Sequence, residues 1–80
     1  MKILHVITTL DVGGAEMHLL SQVRGQCGRG ASVRVAYLKG EGRLADDFRA
    51  AGAEWVGHVP PKRAAALFEH LRWAELVHSH

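Results

Sequence analysis

The sequence predicts an α/β protein built on a parallel sheet. Three observations point there: short apolar runs alternate with apolar stripes at helical spacing, glycines and prolines punctuate the joins, and each connection spans only a few residues. Read in order, the elements run β-α-β-α-β-α-β, which calls for right-handed crossovers and a doubly wound strand order 3-2-1-4 with three helices.

Ile3, Leu4, Val6 and Ile7 form a nearly continuous apolar run bounded by Thr8 to Gly14, the pattern of a strand buried on both faces. Gly13 and Gly14 then open a helix in which Leu19, Leu20, Val23 and Cys27 recur on one side, while Ser21, Gln22, Arg24 and Gln26 are expected on the other. Glu16 in its first turn suits the helix dipole, and Gly28 or Gly30 can end it. Val33, Val35, Ala36, Tyr37 and Leu38 make the second strand, closed by Gly40 and Gly42 around a charged loop. Leu44, Phe48 and Ala51, at i, i+4 and i+7, define a second helix that Gly52 is placed to cap. Trp55, Val56 and Val59 suggest a short third strand stopped by Pro60 and Pro61. A third helix follows from Ala64 to Leu71, with Leu67, Phe68 and Leu71 on one side, and Leu76 and Val77 begin a fourth strand. In a doubly wound sheet that strand would be interior, so ending at His80 leaves an apolar strand on an open edge. The expectation is a longer gene product, or a homodimer through that edge.

Eighty residues hold at most one domain, here 1–80, and bury only about 60% of their unfolded surface. A content of 48% hydrophobic and 22% charged residues is that of a soluble globular chain rather than a disordered or fibrous one. The net charge of +2 comes from Lys and Arg interleaved with Asp and Glu, with no basic block to serve as a nucleic-acid patch. Cys27 is the only cysteine, so neither an internal disulfide nor a cysteine metal cage can form, and a reducing, cytoplasmic setting is expected. Met1 to Leu10 superficially resembles a signal peptide, but His5 interrupts the apolar run and Asp11 ends it before any small-residue cleavage site. No stretch nears the roughly 18 apolar residues of a membrane span. Peripheral membrane contact stays open, with nothing specifying it.

The strongest local signal is Thr8-Thr9-Leu10-Asp11-Val12-Gly13-Gly14-Ala15-Glu16, a strand end leading through paired glycines into a helix. Glycines let backbone approach a ligand closely, and a helix start offers unpaired N–H groups to a phosphate or sugar oxygen. The competing reading is a tight turn that needs glycine for conformation alone. A dinucleotide fingerprint would require G-x-G-x-x-G and an acidic residue ending the second strand; here the glycines are adjacent and that strand ends Tyr37-Leu38-Lys39.

His78-Ser79-His80 puts two imidazoles on one side of a strand, at the carboxyl end where a parallel sheet receives ligands. Without a third ligand nearby in sequence they make a poor metal cage, so no metal is expected and a hydrogen-bonding role is favoured, with His80 the stronger candidate and His78 the one more readily packed or solvated. His5, inside an apolar strand, reads as a satisfied core histidine. His18, His58 and His70 have no converging partners in sequence, Asp46 and Asp47 are explained by the helix dipole, and Trp55 and Trp73 read as packing anchors.

Taken in order, Lys2-Ile3-Leu4-His5-Val6-Ile7, Gly13-Gly14-Ala15-Glu16, Gly30-Ala31-Ser32-Val33-Arg34-Val35 and Glu75-Leu76-Val77-His78-Ser79-His80 resemble successive blocks of the N-terminal domain of family 4 glycosyltransferases, across essentially the whole chain. The resemblance implies part of a GT-B architecture, in which two Rossmann-like domains face each other across a cleft. It implies retaining transfer of a sugar from a nucleotide-sugar donor to a carbohydrate or lipid-linked acceptor, with no cofactor beyond that co-substrate and no metal. It places Gly13 and Gly14 against the donor diphosphate and acceptor, and His80, as the catalytic candidate, near the transferred sugar. The segment between the third strand and Glu75 is shorter than is usual in that family, and the second domain, with most donor contacts, is not encoded in these residues. The 80-residue chain alone is therefore expected to be inactive. A noncatalytic nucleotide- or sugar-binding module is the alternative, and an NAD-dependent oxidoreductase fragment a weaker one.

Overall fold

The computed structural model describes residues 1–11 and 13–80; Val12, part of the glycine turn, lies outside the described residues. The elements are β1 (Lys2–Ile7), α1 (Gly14–Gly28), β2 (Ser32–Tyr37), α2 (Ala45–Ala50), β3 (Trp55–His58), a 3-10 turn (Pro61–Arg63) running into α3 (Ala64–Trp73), and β4 (Leu76–Ser79). The four strands form one sheet in the order β3-β2-β1-β4, with every pairing parallel. This is the α/β arrangement and strand order that the element alternation predicts.

The period of two along β1 splits the core. Ile3 and Ile7 face a cluster with Leu19, Leu20 and Val23 of α1, Val33 and Val35 of β2, and Phe48 of α2. Leu4 faces the other way, joining Ala36 and Val59 against Ala66 and Leu67 of α3. Helices thus cover both faces, as short parallel crossovers require.

Two helices end in the same way. Gly30, at φ 88°, follows α1, with its N–H donating to Cys27 O and that of Ala31 to Gln26 O. Gly52, at φ 111°, follows α2, with its N–H donating to Arg49 O and that of Ala53 to Phe48 O. Both are Schellman-type closures. Gly28 is thus the last residue of α1, and Gly30 supplies the positive φ that closes it.

Two expected helix faces are corrected. Gln26 does not face solvent with Ser21 and Arg24: it lies on the Leu19–Val23 side at i+7 and i+3, where it bonds His5. In α3, Leu67 packs on the sheet, but Phe68 is 60% and Leu71 37% exposed, because the helix rests on its Ala66–Leu67 side. Next to it, β4 pairs with β1 alone among the described residues, and its Leu76 and Val77 are exposed. Arg34 on β2 ties the outer layer together, donating to Glu54 Oε2 at 2.9 Å, contacting His70 Nδ1 at 3.2 Å and lying 3.9 Å over the Trp73 ring. Among the described residues, no helix is long and apolar enough to cross a membrane.

Candidate functional site

In a parallel sheet all strands point their carboxyl ends to one edge, and β1 and β4 are neighbours there. The chain leaves β1 at Ile7 and enters α1 at Gly14, while His80 directly follows β4 and donates its backbone N–H to Val6 O at 2.8 Å. The glycine turn and His80 thus lie on the same edge. His18 of α1 lies close enough to His80 to lower the pKa of the His80 ring.

Backbone conformation requires glycine at neither Gly13 nor Gly14. Gly13 is extended at φ −174°, and neither Gly13 nor Gly14 has a positive φ. A Cβ on Gly13 would lie 3.0 Å from Glu16 Oε1, and a Cβ on Gly14 would meet nothing within 4 Å. Glu16 is held over Gly13 by a hydrogen bond from Thr9 Oγ1 at 3.0 Å. Gly14 is the open member of the pair. The first helical hydrogen bond runs from Met17 N to Gly13 O, so the N–H groups of Gly14, Ala15 and Glu16 precede it, and Gly13 has no side chain with which to cap them.

The structure also brings together three histidines that are far apart in sequence. His5 on β1 is in register with His78 on β4, and alternation puts His80 on that same face. His5 is fully buried, His78 half-buried and His80 exposed. His5 Nδ1 lies 3.1 Å from His80 Nε2, and His5 Nε2 donates to Gln26 Oε1 at 2.8 Å. Desolvation, complete at His5 and partial at His80, is the main cause holding both below the ordinary histidine pKa; the neighbouring imidazoles push the same way, against the bond that His5 donates to Gln26, which raises His5. Both shifts favour the neutral imidazole.

His5 is thus a satisfied core histidine, as its apolar surroundings suggest, and also a partner of His80, which its place in the sequence did not reveal. The missing signal was strand register. Gln26 was legible in principle, since Leu19, Val23 and Gln26 stand at i, i+4 and i+7. His58 and His70 lie away from this group, the first stacked on Tyr37 and bonded to Leu38 O, the second against Trp55 and Arg34. Two shallow concavities, one lined by Met1, Ile3, Gln26, Arg29, Gly30 and Ala31 and one by Glu69, Arg72 and Trp73, take in neither Gly13, Gly14 nor His80. They sit where β1 begins and where α3 ends, opposite the edge at which parallel sheets receive ligands. No family model, curated protein or solved structure matches the chain.

Proposed function

We propose that the chain is the N-terminal Rossmann-like part of a GT-B glycosyltransferase, which moves a sugar with retention from a nucleotide-sugar donor to a carbohydrate or lipid-linked acceptor. One observation carries the reading furthest: Gly14 is required neither by backbone conformation nor by packing, yet it opens an uncapped helix on the edge that also bears His80. A glycine of that kind suits close approach of a ligand to the backbone, and the N–H groups of the first turn suit an anionic one.

Each residue then has a definite task. Gly14 lets a phosphate or sugar oxygen reach the first-turn amides, while Gly13, beneath the Glu16 carboxylate, takes the less charged side of the ligand. His80, whose surroundings favour the neutral ring, bonds a sugar hydroxyl as positive charge develops at the anomeric carbon; this is electrostatic positioning rather than covalent chemistry. The open character of the edge fits one wall of a two-domain cleft, which needs its second wall to exclude water and position the donor. An NAD-dependent oxidoreductase is disfavoured, since β2 ends at Tyr37 and runs into Leu38-Lys39 without an acidic group for the ribose.

The test is a transfer assay on the product of the intact reading frame with a panel of nucleotide-sugars. Product formation and thermal melting are measured together for wild type and His80→Ala. The expected result is a fall of about 10²-fold in turnover at an unchanged melting temperature. Unchanged turnover removes His80 from the site, and a large fall in melting temperature assigns it a structural role instead.

A further inference from the structure

We propose that His5, His78 and His80 form a three-imidazole site for a divalent transition metal of the zinc type, with Gln26 as its supporting partner. One ring nitrogen from each histidine can be chosen so that all three lie within 4.8 Å of one another. The nearest two, His5 Nδ1 and His80 Nε2, are 3.1 Å apart. Two imidazole nitrogens on a tetrahedral zinc, at 2.0–2.1 Å each, stand about 3.3 Å apart. Movement of the half-buried His78 ring and the exposed His80 ring brings the three nitrogens to that spacing.

The orientation of the rings favours this more than their proximity does. Gln26 Oε1, a carbonyl oxygen, can only accept, so His5 carries its proton on Nε2 and presents the Nδ1 lone pair toward His80. A ligating histidine whose other nitrogen donates to a fixed oxygen is the usual second layer of a zinc site, where it sets the tautomer and the ring plane. The support comes from the helix, His5 and His78 come from two adjacent strands, and His80 directly follows the second strand with its backbone N–H bonded to Val6 O. Three protein ligands leave one position of a tetrahedron for water or another small donor.

The inference does not rest on the transferase reading, although both use His80. A metal on His80 holds the ring that the transferase reading assigns to the sugar, so zinc is expected to compete with the donor rather than assist it.

Zinc binding to the chelator-stripped chain is measured by calorimetry and by melting, and cobalt(II) is added as a spectroscopic probe of tetrahedral nitrogen ligation. One ion per chain is expected, with a rise in melting temperature and visible cobalt bands. His78→Ala should abolish the bands, and Gln26→Ala, which removes no ligand, should weaken affinity by about 10–100-fold. His58→Ala, remote from the group, should leave binding unchanged. Because His5 is buried, its own substitution is not needed for the decision. The proposal is overturned by the absence of saturable binding. It is equally overturned if binding survives His78→Ala, or is unaffected by Gln26→Ala, since the ion would then sit on exposed imidazoles alone.

Discussion

Gly14 and Gly52 both lie at helix ends, yet their replacement should have opposite effects. At Gly14 the backbone is ordinary and the space beyond Cα is empty. Gly14→Ala should therefore leave stability unchanged or raise it by about 0.4–1 kcal/mol, through lost freedom of the unfolded chain. At Gly52 the φ of 111° is one that side chains rarely adopt, and a Cβ would come within 2.9 Å of Cys27 Cβ. Gly52→Ala should cost about 1–2 kcal/mol from the backbone alone, and more from the crowding. Denaturant melts of the two variants check both signs. Under the proposed function the ranking reverses for ligand: Gly14→Val should weaken nucleotide-sugar binding measured by calorimetry on the full-length product, whereas Ser21→Ala, on the exposed side of α1, should not. Equal affinities would remove Gly14 from the site.

The elements themselves were readily legible, because buried parallel strands and capped helices leave local marks. Ile3 to Ile7, Leu44 with Phe48, and the stops at Gly30 and Gly52 all express rules that act within a few residues. What stayed hidden depends on how elements meet. The meeting of His5 with His80 and the exposure of Phe68 and Leu71 follow from register and helix seating, which no local period encodes, whereas the inward turn of Gln26 follows the period of α1. The contact of α3 with β2 offers a pH test at this scale. His70, between Arg34 and Trp55, has its pKa lowered first by burial and then by the Arg34 charge. The unfolded chain, with its histidine near 6.5, takes up that proton first, so stability is full above this pH and is lost as pH falls through it. His5 and His80 shift the same way. Melting temperature is thus expected to decline below about pH 6.5, and His70→Gln, which keeps an acceptor, should make the decline shallower. An identical slope in the variant would show that His70 does not contribute.

At the scale of the molecule, a small sheet with helices on both faces leaves little margin. Phe48 is fully buried between α2 and the sheet, and Phe48→Ala should cost about 3–5 kcal/mol, a large part of a stability that for small domains is about 5 kcal/mol. Its thermal transition should broaden or vanish, whereas Phe68→Ala, at an exposed position, should melt almost as wild type does. The same topology that makes the core marginal gathers Gly14, the first-turn amides and His80 on one edge without local strain at Gly13 or Gly14. If that edge receives a nucleotide-sugar, then an amide NMR titration of the 80-residue chain with a panel of nucleotide-sugars, carried to high ligand concentration, should show saturable shifts at Gly14, Ala15, Glu16 and His80, lost in Gly14→Val. Shifts confined to the opposite concavity around Arg29 and Gly30, equal shifts with NAD, or none at saturating ligand would contradict it.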